Sequence, residues 1–152
     1  MINARAETLT EKQSFRQAFK KKRCLIIAVS FYERKRHGDQ SKTPMRIKLK
    51  SSSLFAIAGL WDRWISRKGE SIYSCTVITT TPNELVKAIH DRMPVILHPS
   101  DEKLWLDPDI TDEKLLKPLL HPFHHDLMET CEVSSLVKSP KNNSVGLIRE
   151  IC

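Results

Sequence analysis

The sequence predicts one α+β domain with a largely antiparallel, barrel-like sheet and short flanking helices. The chain has 152 residues and a hydrophobic content of 40%, which is enough for one domain with a real core. Several strand-type runs are mixed with short helical segments, without the strict βαβ alternation of a parallel sheet. No repeat, low-complexity tract or linker divides the chain, so the domain is expected to span residues 1–152.

Local patterns justify each element of the first half. Thr10 and Gln13 have capping-box spacing ahead of an apolar i, i+3, i+4 stripe, which predicts a helix. A continuous apolar run that Glu33 interrupts is typical of a buried strand, and the alternating segment MRIKLK predicts a strand with its apolar side chains on the core. A turn at Gly69 separates two further strand-type runs. The expected elements are a helix over 11–22, a strand over 24–33, a polar connector over 34–44, and strands over 45–50, 54–64 and 72–80.

The second half begins with a helix-start signal. Thr81-Pro-Asn-Glu84 offers an N-cap, a proline at the first helical position and a capping glutamate, so a helix is expected from there to near His90. The short apolar run PVIL then predicts a strand. The expected elements are a strand over 94–97, short helices over 101–106 and 112–119, and a strand-like run over 127–137.

Charge restricts the classes of partner. The net charge is +7 and the pI is near 9.4, which favours nucleic acid, anionic lipid or an acidic protein. No apolar run approaches the roughly 20 residues needed to span a bilayer. The opening segment MINARAETLT has no apolar stretch typical of a secretory signal. No membrane association is therefore expected.

Cysteine placement indicates a reducing compartment. Cys24, Cys75, Cys131 and Cys152 are far apart and form no CxxC pair. A disulfide framework and a zinc site are both disfavoured by this spacing, and a cytoplasmic location is expected.

Glu33 and His90 are candidate acid–base residues. Each stands at the end of an apolar element, Glu33 after a strand-type run and His90 after a predicted helix. An exposed position explains either residue taken singly. If Glu33 is buried instead, its pKa rises above the reference of about 4.3 toward values useful for proton transfer.

Two other groups of side chains suggest sites. His121, His124 and His125 could suggest a metal site, but they lack the partners of a known zinc arrangement and a loop is expected there. No metal or other cofactor is therefore predicted.

Tryptophans could stack on unpaired bases. The three are Trp61, Trp64 and Trp105, of which Trp61 is expected to pack in the core.

Several segments, in order, resemble the SOS response-associated peptidase (SRAP) family. These are NARAETLTEKQSFRQAFKKKRCLIIAVSFYE, then RIKL, FAIAGLWDRW, SCTVITTTPNELVKAIHDRMPVIL and VSSLVKSPKNNS. The similarity runs from Asn3 to about residue 145. The motifs NAR-ET, FYE and IHDRMPVIL, separated along the chain, make the resemblance specific.

The resemblance implies a protein that binds single-stranded DNA and crosslinks to abasic sites. Family members use a cysteine directly after the initiator methionine, exposed by self-cleavage. Its amine and thiol condense with the sugar aldehyde to give a thiazolidine. By motif, Glu33 would act on the terminal amine and His90 would serve as acid–base for sugar opening. The remaining implied residues are Asn3 and Arg5, which would orient the terminus and sugar, Thr79, which would line the pocket, and Arg92, which would hold a phosphate.

Departures from the family pattern qualify this expectation. Position 2 is Ile2 rather than cysteine, and a motif that normally lies well inside the family's chain begins at Asn3. The N-terminal portion is therefore expected to be absent, thiazolidine formation to be lost, and a sheet edge or apolar face to be uncovered. Arg34 stands where the family usually has tryptophan, although a guanidinium can also stack on a base. The alternatives are a monomeric noncovalent single-strand binder and a nonfunctional truncated protein.

Overall fold

The computed structural model describes residues 3–38, 41–51 and 54–151, so Ile2 lies outside the described residues. Short 3₁₀ turns complete the framework at Ala6–Thr8, Lys117–Leu119, His125–Leu127, Ser135–Lys138 and Val145–Ile148. The strands and helices are β1 (Asn3–Arg5), α1 (Gln13–Lys21), β2 (Arg23–Ala28), β3 (Phe31–Arg36), β4 (Lys42–Leu49), β5 (Phe55–Ile65), β6 (Ser71–Thr80), α2 (Glu84–Lys87), β7 (Met93–Pro94), α3 (Pro99–Leu106), α4 (Glu113–Leu116) and β8 (Met128–Glu132).

The strands form two sheets. The larger sheet has the order β1-β6-β5-β2, with β7 added to β6, and the smaller sheet has the order β3-β4-β8. Every pairing is antiparallel except that of β1 with β6, which is parallel. The predicted α+β class with largely antiparallel sheets and short helices is confirmed. The turn between β5 and β6 contains Gly69 at a φ of 82°, a left-handed conformation that glycine adopts without steric cost.

Two apolar clusters fill the interior. One lies under α1 and α3 and contains Phe19 and Trp105, whose ring centroids are 6.0 Å apart. The other joins the two sheets, because Ile47 of β4 and Met128 of β8 pack with Ile57 of β5. This second cluster holds the smaller sheet, and with it β3, against the larger one. As predicted, Met45, Ile47 and Leu49 all contribute to it.

A buried segment over 93–97 lies between the start of β5 and the end of β6, beyond the part where these two strands pair with each other. The Val95 N–H donates to the Ile78 carbonyl of β6 at 2.9 Å, and the Val95 carbonyl accepts from the Ala58 N–H of β5 at 2.9 Å. The Leu97 N–H donates to the Ala56 carbonyl of β5, also at 2.9 Å. These main-chain bonds attach the buried segment to both strands. It replaces the strand predicted over 94–97, of which β7 is the regular part.

Arg23 ties α1, β2 and α3 together. Its side chain is buried, and its guanidinium donates to carbonyl oxygens of Phe19 and Lys20 at the end of α1. On the other side it donates to Trp105 at 2.6 Å, to Asp107, and to Ile110 at 2.9 Å. These carbonyls include groups at helix ends that have no partner within the helix. The buried charge is thus paired with oriented dipoles instead of a carboxylate.

Two boundaries in the first half were predicted wrongly. The apolar run 24–33 is not one buried strand, because it leaves the larger sheet after Ala28 and enters the smaller sheet at Phe31. Ile27 is 60% exposed, so the run is only partly buried. The segment 34–44 is not simply a connector, since its ends continue β3 and begin β4, with the Arg36–Lys42 pair as the last of the ladder. Asp39 and Gln40 lie outside the described residues.

The helix starts and the last strand also differ from expectation. Helix α1 begins at Gln13 with Lys12 as N-cap and no side-chain cap, so the capping box at Thr10 does not form. In α2 the N-cap is Asn83 rather than Thr81, because the Asn83 side chain accepts from the Val86 N–H at 2.9 Å. The strand predicted over 127–137 ends at Glu132, where a 3₁₀ turn follows.

Apolar surface remains on the larger sheet. Strand β2 pairs with β5 along one edge, and the described residues supply no ladder along the other. Trp61 is 37% exposed and Tyr73 is 65% exposed, with ring centroids 6.3 Å apart. The prediction that Trp61 packs in the core is therefore wrong, and Trp105 is the buried tryptophan.

In the described part of the chain, no helix is long and apolar enough to cross a bilayer.

We expect Arg23→Lys to lower the free energy of unfolding by about 3 kcal/mol, because a lysine cannot reach all of these carbonyls and leaves some of them buried without a donor. Urea unfolding followed by circular dichroism measures the change. The matched control is Arg67→Lys in the exposed turn between β5 and β6, where a loss within about 0.5 kcal/mol is expected. Equal losses for the two variants would show that Arg23 does not hold these elements together.

Candidate active site

A cleft of about 420 Å³ opens between the two sheets, and its wall includes β1 and the segment after α2. Apolar residues form part of its wall and polar side chains converge on it from four directions. Six of the seven residues singled out from the sequence contribute to this one cleft. The lining residues are Asn3, Arg5, Phe31, Tyr32, Glu33, Ile57, Val77, Thr79, His90, Arg92, Met93 and Pro94.

Glu33 and His90 face each other across the cleft. Glu33 lies on β3, where its side chain is 27% exposed, and His90 follows α2 with a side chain that is 33% exposed. The distance from Glu33 Oε2 to His90 Nε2 is 3.8 Å. This separation is too long for a direct hydrogen bond, so the two groups are coupled electrostatically while their polar atoms stay available to a substrate. The structure thus places the two candidate acid–base residues at one site.

Backbone contacts orient the imidazole of His90. The Arg92 backbone N–H lies 3.1 Å from Nδ1 and the Arg92 carbonyl oxygen lies 3.2 Å from it, so Nδ1 accepts from the N–H in one tautomer and donates to the carbonyl in the other. The Asp91 carboxylate lies 3.2 Å from the same Nδ1 and is 86% exposed. Like the Arg92 carbonyl, the Asp91 carboxylate can accept from Nδ1 only in a form of the ring that carries a proton on that nitrogen. Nδ1 therefore has a backbone partner in either tautomer, and Nε2 is the ring nitrogen that approaches Glu33.

Burial shifts the pKa of Glu33. Removal from water raises the pKa of this carboxyl above its usual value, and the nearby His90 opposes the shift. A carboxyl with a raised pKa exchanges protons closer to neutral pH, where acid–base catalysis is most effective. The environment of Glu33 therefore suits a group that accepts and releases a proton.

Arg92 is held by two neighbours. Its Nη1 and Nη2 donate to the two carboxylate oxygens of Glu7, both at 2.9 Å, in a bidentate ion pair. Nη2 also donates to the Thr79 carbonyl at 2.6 Å. The hydrogen bond from Arg92 lowers the pKa of Glu7, so that carboxylate is charged at neutral pH. The guanidinium predicted to hold a phosphate is therefore already bound by an acidic side chain.

Strand β1 brings the NAR motif to the cleft. Its parallel ladder with β6 places Asn3 opposite Val77 and Arg5 opposite Thr79. Both Asn3 and Arg5 are exposed, and they alternate with the buried Ala4. The Thr79 hydroxyl donates to the Ala4 carbonyl at 3.3 Å, which adds a side-chain contact between the two strands. Asn3, Arg5 and Thr79 thus lie together on one rim of the cleft.

Arg34 lies beside the central cleft and not in it. A second cleft of about 330 Å³ shares Tyr32, Glu33 and His90 with the first. Its mouth is basic, since it includes Arg34, Arg36, Lys42 and Lys138. A positively charged surface therefore continues outward from Glu33 and His90.

The other sites weighed from the sequence have different positions. The rings of His124 and His125 stack with centroids 5.0 Å apart, and both side chains are exposed. Over 3–38, 41–51 and 54–151, no group of three or more His, Cys, Asp or Glu side chains is arranged to hold a metal ion. Trp105 is fully buried, whereas Trp64 is 52% exposed on the hairpin of β5 and β6.

Sequence reasoning missed Glu7 and, at the mouth of the second cleft, the basic residues other than Arg34. Glu7 belongs to the NAR-ET motif but received no role, because its partner Arg92 is 85 positions away along the chain. The sequence signal for such a pairing was a carboxylate placed two residues after Arg5 in a strongly basic chain. Arg36 and Lys42 were assigned to a connector, which hid their position at the mouth of a cleft.

The fold and the site together define a class of protein, namely a mixed α/β domain with a carboxylate and an imidazole in a basic cleft. The family model described as SOS response associated peptidase (SRAP) matches residues 1–140. The chain belongs to this family.

Named relatives agree with this assignment. The chain is 60% identical to the abasic site processing protein YoqW of Bacillus subtilis over 97% of its length and 66% of the relative's. It is 35% identical to the abasic site processing protein HMCES of Xenopus tropicalis, over 93% of this chain and 48% of that protein. A crystal structure of a protein from Bacteroides thetaiotaomicron superposes with a TM-score of 0.90 at 33% identity, covering 98% of this chain and 66% of the other. The chain thus spans just under two thirds of YoqW and about half of HMCES.

We expect Glu33→Gln to raise the melting temperature at pH 8. Burial raises the pKa of the Glu33 carboxyl in the folded protein, so this group holds its proton more tightly there than in the unfolded chain. The wild type therefore loses stability as the pH rises from the ordinary glutamate pKa through the higher folded value, and the amide has no such loss. The gain should shrink as the pH falls through that window toward 4.5.

Differential scanning fluorimetry between pH 4.5 and pH 8 measures this difference. The control is Glu70→Gln in the exposed turn between β5 and β6, which should give no pH-dependent gain. A Glu33→Gln protein that melts below the wild type at pH 8 would contradict the burial penalty.

Proposed function

We propose that this chain binds single-stranded DNA at an abasic site and supplies the acid–base pair for covalent capture of the opened sugar. The observation that carries the proposal is the 3.8 Å approach of Glu33 and His90 in a cleft rimmed by Arg5 and Arg92. Membership of the SRAP family and relatives named abasic site processing proteins support it.

The two side chains suit successive proton transfers. Opening the sugar of an abasic site moves a proton from its C1′ hydroxyl to the ring oxygen, and His90 can both accept and donate that proton. Capture by an amine and a thiol then forms a C–N and a C–S bond at the aldehyde carbon and releases water. Glu33, as a carboxylate, can take a proton from the terminal ammonium, which frees the neutral amine to attack the aldehyde. We assign these acid–base steps to the described residues, and peptidase activity at a terminal methionine would use the same pair.

Basic side chains give the strand a route into the cleft. Arg5 lies at the rim of the central cleft, and Arg34, Arg36, Lys42 and Lys138 lie at the mouth of the second. Such residues bind phosphates without regard to sequence, and an exposed arginine such as Arg34 can also stack on an unpaired base. The net charge of +7 favours the same partner. We propose that the strand runs along this surface and presents one sugar to Glu33 and His90, with the protein acting as a cytoplasmic monomer.

Noncovalent binding without reaction is the second candidate function, favoured by the same basic surface. Under either candidate, affinity for a labelled single-stranded oligonucleotide should fall steeply with salt, because bound phosphates release counterions. Arg5→Ala should reduce the slope of log K against log salt by about 0.7, the value for one lost single-strand contact. Fluorescence anisotropy at several salt concentrations measures both quantities. An affinity that does not change between low and moderate salt would exclude the basic surface as the binding site.

A covalent adduct separates the two candidates. We expect a version extended by the leading segment of the family, with its cysteine after the methionine, to form an adduct with abasic single-stranded DNA that survives boiling in detergent. His90→Ala should slow adduct formation by roughly 10² to 10⁴-fold, the usual contribution of a general acid–base group. Denaturing gels with a labelled oligonucleotide measure the rate.

The control for this experiment is His121→Ala, an exposed histidine outside the lining of the central cleft. It should react at the rate of the unsubstituted protein. No adduct from the extended protein would leave noncovalent binding as the function. An adduct formed at an undiminished rate by His90→Ala would show that His90 is not the acid–base group.

A further inference from the structure

We propose that Glu7 is a positioning residue that fixes the guanidinium of Arg92 toward a DNA phosphate. This inference rests on the function proposed above, in which the strand enters the cleft beside Arg92. Glu7 lies in the 3₁₀ turn Ala6–Thr8 directly after β1, and no role was assigned to it from the sequence. It is 85 positions from Arg92 in the chain, yet it binds both terminal nitrogens of that side chain.

The hydrogen bonds of Arg92 define how its guanidinium is held. A guanidinium has five N–H groups, one on Nε and two on each terminal nitrogen. Nη2 uses one hydrogen on Glu7 and the other on Thr79, whose carbonyl oxygen lies at 2.6 Å and whose hydroxyl oxygen lies at 3.3 Å, and Nη1 uses one hydrogen on Glu7. Nε is buried with no hydrogen-bond partner among the described residues, so that edge faces the protein. The second hydrogen of Nη1 is the donor that remains for an incoming acceptor.

Burial differs between the two partners in a way that suits this role. The Arg92 side chain is 19% exposed and that of Glu7 is 44% exposed. A carboxylate in contact with solvent can hold the arginine without being itself desolvated, so the ion pair does not incur the full cost of a buried pair. The Thr79 carbonyl and Glu7 together set the plane of the guanidinium at the rim of the cleft, beside Arg5 and Thr79.

Fixing a flexible side chain before binding strengthens binding. An arginine that must be immobilised by its ligand loses rotamer freedom at that moment, and prior fixation removes this loss from the binding free energy. The expected benefit for one side chain is about 2- to 10-fold in affinity. A carboxylate near a phosphate also repels it, which would act in the opposite direction. The sign of the effect of Glu7 on affinity therefore distinguishes positioning from competition.

A double-mutant cycle provides the test. The variants are Glu7→Gln, Arg92→Ala and the combination, each checked for a cooperative thermal transition. The probe is a fluorescein-labelled single-stranded oligonucleotide that carries one tetrahydrofuran analogue of an abasic site. Glu7→Gln should weaken binding by about 2- to 10-fold, because the amide cannot hold both terminal nitrogens as an ion pair. The combination should bind no more weakly than Arg92→Ala alone, since Glu7 acts through Arg92.

The salt dependence supplies a readout that a merely structural role would not change. Glu7→Gln should reduce the slope of log K against log salt toward that of Arg92→Ala, by at most about 0.7. The control is Glu11→Gln, which makes the same charge change at an exposed position outside the cleft lining and should leave the slope unchanged. Glu7→Asp keeps the charge on a shorter side chain. Positioning predicts weakened binding for this variant too, whereas a pure charge effect predicts none.

Each outcome decides the proposal. Tighter or unchanged binding by Glu7→Gln overturns it in favour of competition or of no role. Additive losses in the combination overturn it as well, because Glu7 would then act independently of Arg92. If the wild-type protein does not bind the oligonucleotide at all, the proposed function fails and the role of Glu7 fails with it. If the wild type binds and the cycle is additive, only the role of Glu7 is lost.

Discussion

The buried segment 93–97 determines the geometry on which the site depends. It is bonded through its backbone to β5 on one side and to β6 on the other, and its side chains are buried in both apolar clusters, so main-chain hydrogen bonds and core packing together fix its position. His90 and Arg92 immediately precede this segment, and their placement follows from it. The interdigitated apolar cluster around Ile57 then fixes β3, and with it Glu33, relative to the same point. A rigid frame of this kind can hold two ionisable groups at a constant separation.

Local patterns in the sequence sufficed for much of the fold. The alternation in MRIKLK and the turn at Gly69 are properties of neighbouring residues, and β4, β5 and β6 were predicted from them with small errors at the ends. The division between β2 and β3 was missed because an apolar run shows no sign of a change of sheet. That change is stabilised by distant contacts, such as the bond from Arg46 Nε to the Ser30 hydroxyl at 3.0 Å.

The site shows the same division between local and distant information. The motifs selected Asn3, Arg5, Glu33, Thr79, His90 and Arg92, and these residues line one cleft. Their roles were inferred from resemblance, and composition or spacing could not have supplied them. The sequence could not reveal that the guanidinium of Arg92 is bound by a carboxylate, because ion pairs between distant positions leave no periodic trace. Burial of Glu33 was likewise open, since a strand end can face water or protein.

The three tryptophans differ sharply in environment, and this difference has a spectroscopic consequence. Trp105 is enclosed beside Phe19 and Arg23, whereas Trp61 and Trp64 contact solvent on the hairpin of β5 and β6. Intrinsic emission of the native protein is therefore a sum of a blue-shifted and a red-shifted component. An external quencher such as iodide would suppress the second and spare the first. Wavelength-resolved fluorescence can thus follow the interior and the surface of the same molecule separately, without any attached dye.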